Sequence, residues 1–253
     1  MNTDSTPVRL LQITDTHLYA EPEKELYGVD TRSSLSRVLA AACRRPKPDL
    51  VLATGDLVHD ESLLGYQTLA GMFELLKAPV AAIAGNHDAL DILRTVAGKN
   101  FRIGGSHRLP GWRIVLLNTM VPGETHGHLQ SEELDFLEDS LAQAGKSHVL
   151  VALHHQPVAV GCAWLDRIGV SNADDFFRIL DRYTCVRAIL WGHVHQAFEA
   201  ERRGVLLLST PSTCAQFRPD SRDFALDDKP PGMRWLTLHP DGHIETRIEW
   251  VAE

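Results

Sequence analysis

The chain has no C-x-x-C pair, and its four cysteines, Cys43, Cys162, Cys185 and Cys214, are widely scattered. That spacing excludes a zinc finger or a disulfide framework and leaves reduced thiols in the cytoplasm as the expectation. Basic residues are outnumbered, with 25 Lys and Arg against 33 Asp and Glu, giving a formal charge of −8. A general nucleic-acid binder shows a basic face, so that class is disfavoured. An anionic substrate stays open, because bound cations reverse a local potential. No apolar run approaches the ~18 residues of a membrane span. The opening MNTDSTPVRLLQI lacks the basic and apolar regions of a signal peptide. Repeats, low-complexity stretches and linkers are missing too, so residues 1–253 are expected to form one domain.

What is present is a soluble composition, 44% hydrophobic and 23% charged, with enough apolar residues for a sizeable core. Strand-like runs occur at Val8–Thr14, Asp49–Thr54, Pro79–Ala84, Trp112–Asn118, Ser147–Leu153 and Val186–Trp191. Helical patterns lie between several of them, at Ser33–Cys43, Glu61–Lys77 and Phe176–Tyr183, with Ser131 and Asn172 as N-cap candidates. The alternation predicts an α/β protein with largely parallel early strands. After residue 196 the pattern turns mainly β, through Phe198–Arg202, Val205–Ser209, Arg234–Leu238 and His243–Trp250. Residues 210–233, rich in Pro, Asp and Arg, read as a surface loop.

Each of five strands runs into polar residues of one kind. The first ends in Asp15-Thr16-His17, the second in Gly55-Asp56 and the third in Gly85-Asn86-His87-Asp88. The run Val149–Leu153 ends in His154-His155-Gln156-Pro157, and Val186–Trp191 in Gly192-His193-Val194-His195. Side chains at i and i+2 of an extended chain share a face, so Asp15 with His17, and His193 with His195, are expected to look one way. By the same rule the neighbours His154 and His155 point oppositely, so at most one faces a common site. Any one cluster has an ordinary explanation as a solvated loop or an Asx-turn. Open α/β sheets, however, bind their ligands at the carboxyl ends of the strands, where all five fall. Two aspartates, an asparagine and four histidines form a mixed N/O set suited to manganese, iron or zinc. With one carboxylate bridging, these residues furnish two four-ligand sites, that is, a dinuclear metal centre. His126 and His128 have the same spacing but follow no apolar strand, so they read as turn chemistry. His59, His107, His148, His239 and His243 read as ordinary histidines.

This ordered series, over residues 8–196, resembles the calcineurin-like metallophosphoesterases. The resemblance implies a four-layer αββα sandwich of two mixed sheets. It carries one divalent cation onto Asp15, His17, Asp56 and His195, and the second onto Asp56, Asn86, His155 and His193. His155 is chosen over His154 because the family's ligand precedes x-Pro. The cations implied are iron or manganese, with zinc as the alternative. The stretches Leu26–Thr31, Gly161–Asp166 and Thr210–Phe217 are most similar to bacterial class III 3′,5′-cyclic AMP phosphodiesterases. That likeness implies hydrolysis of cyclic AMP to 5′-AMP by in-line attack of a hydroxide held between the cations. Substrate contacts would fall on His17, Asp56, Asn86, His87 and His195. His87 would protonate the leaving oxygen, with adjacent Asp88 as a candidate to orient its ring. Trp164 or Phe217 would supply an apolar wall for the base. The partner implied is a small cyclic nucleotide rather than nucleic acid or membrane. A broader phosphodiesterase, a phosphomonoesterase, a nuclease or a non-catalytic scaffold of the same fold are the competing expectations.

Overall fold

The first strand, β1 (Val8–Ile13), buries Leu11 and Ile13 on one face and Val8 and Leu10 on the other. A strand apolar on both faces needs a packed layer on each side. The same split recurs along β4 (Leu50–Thr54) and β5 (Val80–Ile83), and also along β9 (His148–Ala152) and β10 (Val186–Trp191). One set of alternate residues, including Leu10, Leu52, Ile83, Leu150 and Leu190, meets between two sheets. The other sets pack under helices on the two outer faces. The computed structural model, which describes residues 6–252, therefore has four layers, helix–sheet–sheet–helix, as the resemblance implied.

Both sheets are mixed and six-stranded. In the first, β1, β4, β5 and β6 (Phe101–Ile103) run parallel, while β15 (Gly232–Leu238) pairs antiparallel with β1 and β16 (Ile244–Trp250) with β15. In the second, β8 (Trp112–Leu116), β9, β10 and β12 (Val205–Ser209) run parallel. Its antiparallel edges are β7 (Gly105–Leu109) and β11 (Phe198–Arg202). The mainly β stretch after residue 197 is thus shared between the sheets. Two short hairpins lie outside them: β2 (Glu25–Leu26) with β3 (Val29–Asp30), and β13 (Gln216–Phe217) with β14 (Leu226–Asp227).

Helix α1 (Thr31–Cys43) starts where the Asp30 carboxylate accepts the Ser33 N–H, and it buries Leu35, Val38, Leu39 and Ala42 at helical spacing. Ser62 caps α2 (Leu63–Phe73) in the same way. Helices α3 (Leu90–Thr95), α4 (Ser131–Ala142) and α5 (Ala173–Leu180) complete the outer layers. Asn172 sits at the N-cap of α5 as expected and Gln130, not Ser131, at that of α4, with no side-chain capping bond at either. Ser131 is already the first residue of α4, and the Asn172 side-chain amide bonds both the N–H and the C=O of Leu129. Residues 210–233 are not a surface loop throughout: Thr210–Phe217 are buried, and exposure begins at Arg218. Among the described residues no helix is long and apolar enough to cross a membrane, and the four cysteines are unbridged.

A polar seam ties the sheets together beneath the strand ends. Arg234 on β15, fully buried, donates to the Ser209 carbonyl (2.8 Å), the Thr246 hydroxyl (2.6 Å) and the Glu199 carboxylate (2.7 Å). Thr210 donates to Gln12, whose amide donates to Thr54 and to the Trp191 carbonyl. Replacing Arg234 with Met roughly keeps the volume but strands the buried Ser209 carbonyl. The variant should lose about 2–3 kcal/mol of stability, read from the urea midpoint. Glu199→Gln should shift that midpoint little, since the carboxylate is 57% exposed.

Candidate metal centre and substrate cleft

The strands stop before the ligand candidates begin. Asp15 and His17 lie beyond the end of β1, Asp56 beyond β4, Asn86 beyond β5, His154 and His155 beyond β9, and His193 and His195 beyond β10. Extended geometry therefore does not align the i, i+2 pairs. Asp15, His17, Asp56, His193 and His195 all have positive φ, from 44° to 64°. Non-glycine residues avoid this left-handed region, and such strain clusters at functional sites. Alternating left-handed turns aim both members of each pair into one volume, an outcome that the pleat argument reached by the wrong route.

Two glycines let the turns crowd together. A Cβ at Gly55 would strike the His154 ring, and its φ of +94° suits glycine. A Cβ at Gly85 would collide with the Asp56 carboxylate. Backbone bonds lash the turns to each other: Asp15 N–H to Gly55 O at 3.0 Å, His17 N–H to Asp56 O at 2.9 Å. The His193 N–H donates to both Asp15 oxygens, and the His87 N–H to Asp56 Oδ1 at 2.9 Å. Asp88 does not orient the His87 ring. Its carboxylate accepts the N–H groups of Leu57, Val58 and Gly85 and the Tyr66 hydroxyl, clamping the β4 turn to the β5 turn.

Of the seven expected ligands, Asp15, His17, Asp56, His155, His193 and His195 are buried. Asp15, His17 and His195 bring ligand atoms within 4.8 Å of one another, and so do Asp15, Asp56 and His154. His17 Nε2 is 3.2 Å from His195 Nε2 and 3.8 Å from Asp56 Oδ2. Both adjacent histidines reach the cluster, since His154, His155 and His193 also bring ligand atoms within 4.8 Å of one another. His154 places Nε2 3.3 Å from both Asp56 Oδ1 and Asn86 Oδ1, while its Nδ1 bonds the Thr54 carbonyl at 2.8 Å. His155, the expected ligand, has Nδ1 tied to the Thr119 hydroxyl at 2.7 Å, with its ring beside His193 at 4.6 Å. The turn after β9 brings the first histidine to the carboxylates and sets the second beside His193.

The donor set fits divalent cations. Metal-ligating imidazoles must be neutral, with the second ring nitrogen engaged elsewhere. Burial holds His17 and His155 well below the ordinary imidazole range, and burial together with His154 brings His193 down to about 3. His195 Nδ1 bonds the Ala215 carbonyl at 2.7 Å, leaving Nε2 for a metal. Among the described residues the buried Nε2 atoms of His155 and His193 find no hydrogen-bond partner. His154 behaves differently: burial works against its charge, yet the Asp56 carboxylate raises it to about 9.

Further residues complete the site. Thr210–Phe217 brace it, since the Ser212 hydroxyl donates to Asp15 O and the Phe217 ring stacks on His195 at 4.1 Å and 9°. Within residues 210–233 the signal was the shift from neutral Thr210–Phe217 to the charged residues after it. His59, read as ordinary, reaches the His17 ring and stacks on His87. Gly127, between the two turn histidines, packs on the His155 ring, while His128 bonds Ser171 as turn chemistry would have it. A cleft of ≈ 160 Å³ opens over the cluster. Its floor includes His17, Asp56, Asn86, His87, His193 and His195. Its far wall is aromatic: Trp164 meets Phe217 and Phe224 edge-on at 5.1 and 5.4 Å, and Tyr27 joins them from the β2–β3 hairpin.

A cation taken up at His154 displaces its proton, which fixes the sign of a pH dependence. Below about pH 9 the metal-free protein holds that proton, so apparent metal affinity should rise with pH and level off near 9. The slope should approach about tenfold per pH unit. Calorimetric titration with Mn²⁺ in buffers of differing ionisation enthalpy should record release of about one proton at neutral pH.

Residues 8–197 match the family model described as calcineurin-like phosphoesterase. The chain is 41% identical over 255 residues to the 3′,5′-cyclic adenosine monophosphate phosphodiesterase CpdA of Pseudomonas aeruginosa, covering 100% of this chain and 94% of that one. It is 40% identical over 256 residues to the protein of the same name from Escherichia coli (strain K12), covering 97% and 90%. A dimetal phosphatase from Danio rerio, 15% identical, shares the fold at a TM-score of 0.66 over 98% of this chain and 100% of that one. The family match spans every strand that delivers a residue to the buried Asp/His clusters. The chain belongs to the calcineurin-like phosphoesterase family, with a dinuclear divalent-metal site where its two sheets meet.

Proposed function

We propose that the protein hydrolyses 3′,5′-cyclic AMP to 5′-AMP at two divalent cations, iron or manganese, with zinc as the alternative. One observation carries this reading: a buried Asp/His floor and an aromatic wall face each other across a single cleft. A phosphate needs the first and a nucleobase the second. The full-length likeness to proteins named as cyclic AMP phosphodiesterases supports it. On the same reading it works in the cytoplasm, where thiols stay reduced.

One cation would be held by Asp15, His17, Asp56 and His195. The second would be held by Asp56, Asn86, His193 and His154, the last replacing His155 on the distances above. When bound, the pair supplies Lewis acidity that generates hydroxide at neutral pH and offsets charge on phosphorus oxygens. Asp56 is placed to serve both, and the N–H of His87 fixes its Oδ1. The His87 ring lines the cleft and would give its proton to the leaving 3′-oxygen. Trp164, with Phe217 behind it, would stack on the base.

A substrate panel tests the reading. The metal-loaded protein should prefer cyclic AMP over bis-p-nitrophenyl phosphate and simple monoesters; a preference for monoesters would make it a phosphomonoesterase. In the same panel, His87→Ala should slow cyclic AMP hydrolysis by ~10²–10⁴. The loss should shrink for the nitrophenyl ester, whose leaving group needs little protonation. Trp164→Ala should raise KM for cyclic AMP and leave the nitrophenyl ester nearly unchanged.

Metal content separates the two adjacent histidines. By elemental analysis, His154→Ala should retain one metal where the parent retains two, while His155→Ala should keep both. The reverse ranking would return the ligand to His155.

A further inference from the structure

The geometry points to His59 as a positioning residue that fixes the tautomer and orientation of His17. The inference rests on the proposed role of His17 as a metal ligand, though not on which phosphoester is cleaved.

His17 Nδ1 and His59 Nδ1 are 3.0 Å apart. Two ring nitrogens at that distance form a bond only if one carries hydrogen and the other a lone pair. His17 Nε2 faces His195 and Asp56, where a lone pair is needed for the cation. A neutral imidazole with a free Nε2 carries its hydrogen on Nδ1. His17 therefore donates and His59 accepts, which places the His59 hydrogen on Nε2. The bond selects one His17 tautomer and holds its ring in one rotation.

The backbone presents His59 for this task. Beyond the ends of β1 and β4 the two segments keep running side by side, through a parallel bridge between Leu18 and Val58. Leu18 N–H donates to Leu57 O at 3.0 Å, and His59 N–H to Leu18 O at 2.7 Å. This fixes His59 across from His17. Its ring is further held by stacking on His87, with centroids 4.6 Å apart and planes at 22°. Metal-bound histidines ordinarily pass their second N–H to a carboxylate, a carbonyl or water. Here a neutral imidazole takes that place.

The test uses the full chain. His59→Ala removes the acceptor, whereas His59→Asn returns one, because the Asn carbonyl oxygen occupies nearly the position of Nδ1. Mn²⁺ affinity of the weakened site, measured by chelator competition, should fall by roughly 10–100-fold in His59→Ala. In His59→Asn it should return to within about threefold of the parent. Imidazole ¹⁵N spectra of the Zn²⁺-loaded protein should show His17 as the Nδ1–H tautomer in the parent and in His59→Asn. In His59→Ala the His17 signals should shift or broaden. Parent-like affinity and an unchanged His17 signal in His59→Ala would overturn the proposal, and so would equal losses in both variants. Neither readout requires turnover, so a protein inactive on cyclic AMP would leave this result intact.

Discussion

Asp15 and Asp56 are buried side by side, and two carboxylates in a volume of low dielectric repel each other strongly. Everything around them answers that constraint. Amide hydrogens from His87 and His193 point at their oxygens. In the metal-free protein His154 keeps a proton far above its ordinary range beside Asp56. Burial holds His17 and His193 neutral, since further cations in protonated form would crowd the same space. A site of this kind is a mould for positive charge, and its ring nitrogens are already turned for coordination. The strained left-handed turns are tolerated because lashings between neighbouring strand ends over-determine them.

The fold was legible because its central strands are apolar on both faces and their polar exits are abrupt. Val149–Leu153 and Val186–Trp191 admit no other reading, and the ligands sit directly after such runs. Strands β6 and β7 were missed. Arg102, His107 and Arg108 break the apolar pattern in edge segments that bury little. Strand alternation lets only one of His154 and His155 face the site, whereas the turn after β9 brings ligand atoms of both to His193. His59 was invisible for a related reason: its partner is 42 residues away, across a parallel pair of strand extensions. Thr210–Phe217 looked like loop because it opens a stretch rich in Pro, Asp and Arg, while its burial comes from packing against strand ends distant in sequence.

The division of labour between the sheets has a further meaning. Asp15, His17, Asp56 and Asn86 leave the first sheet, while His154, His193 and His195 leave the second. A cation held by both groups is a rivet through two plates, so its binding energy adds to the cohesion of the plates themselves. The reverse also holds. Any change that lets the sheets slide, even one buried near Arg234 and remote from the cleft, loosens the ring of ligands from both sides at once. Metal retention in this protein is thereby a gauge of how firmly its two halves are joined.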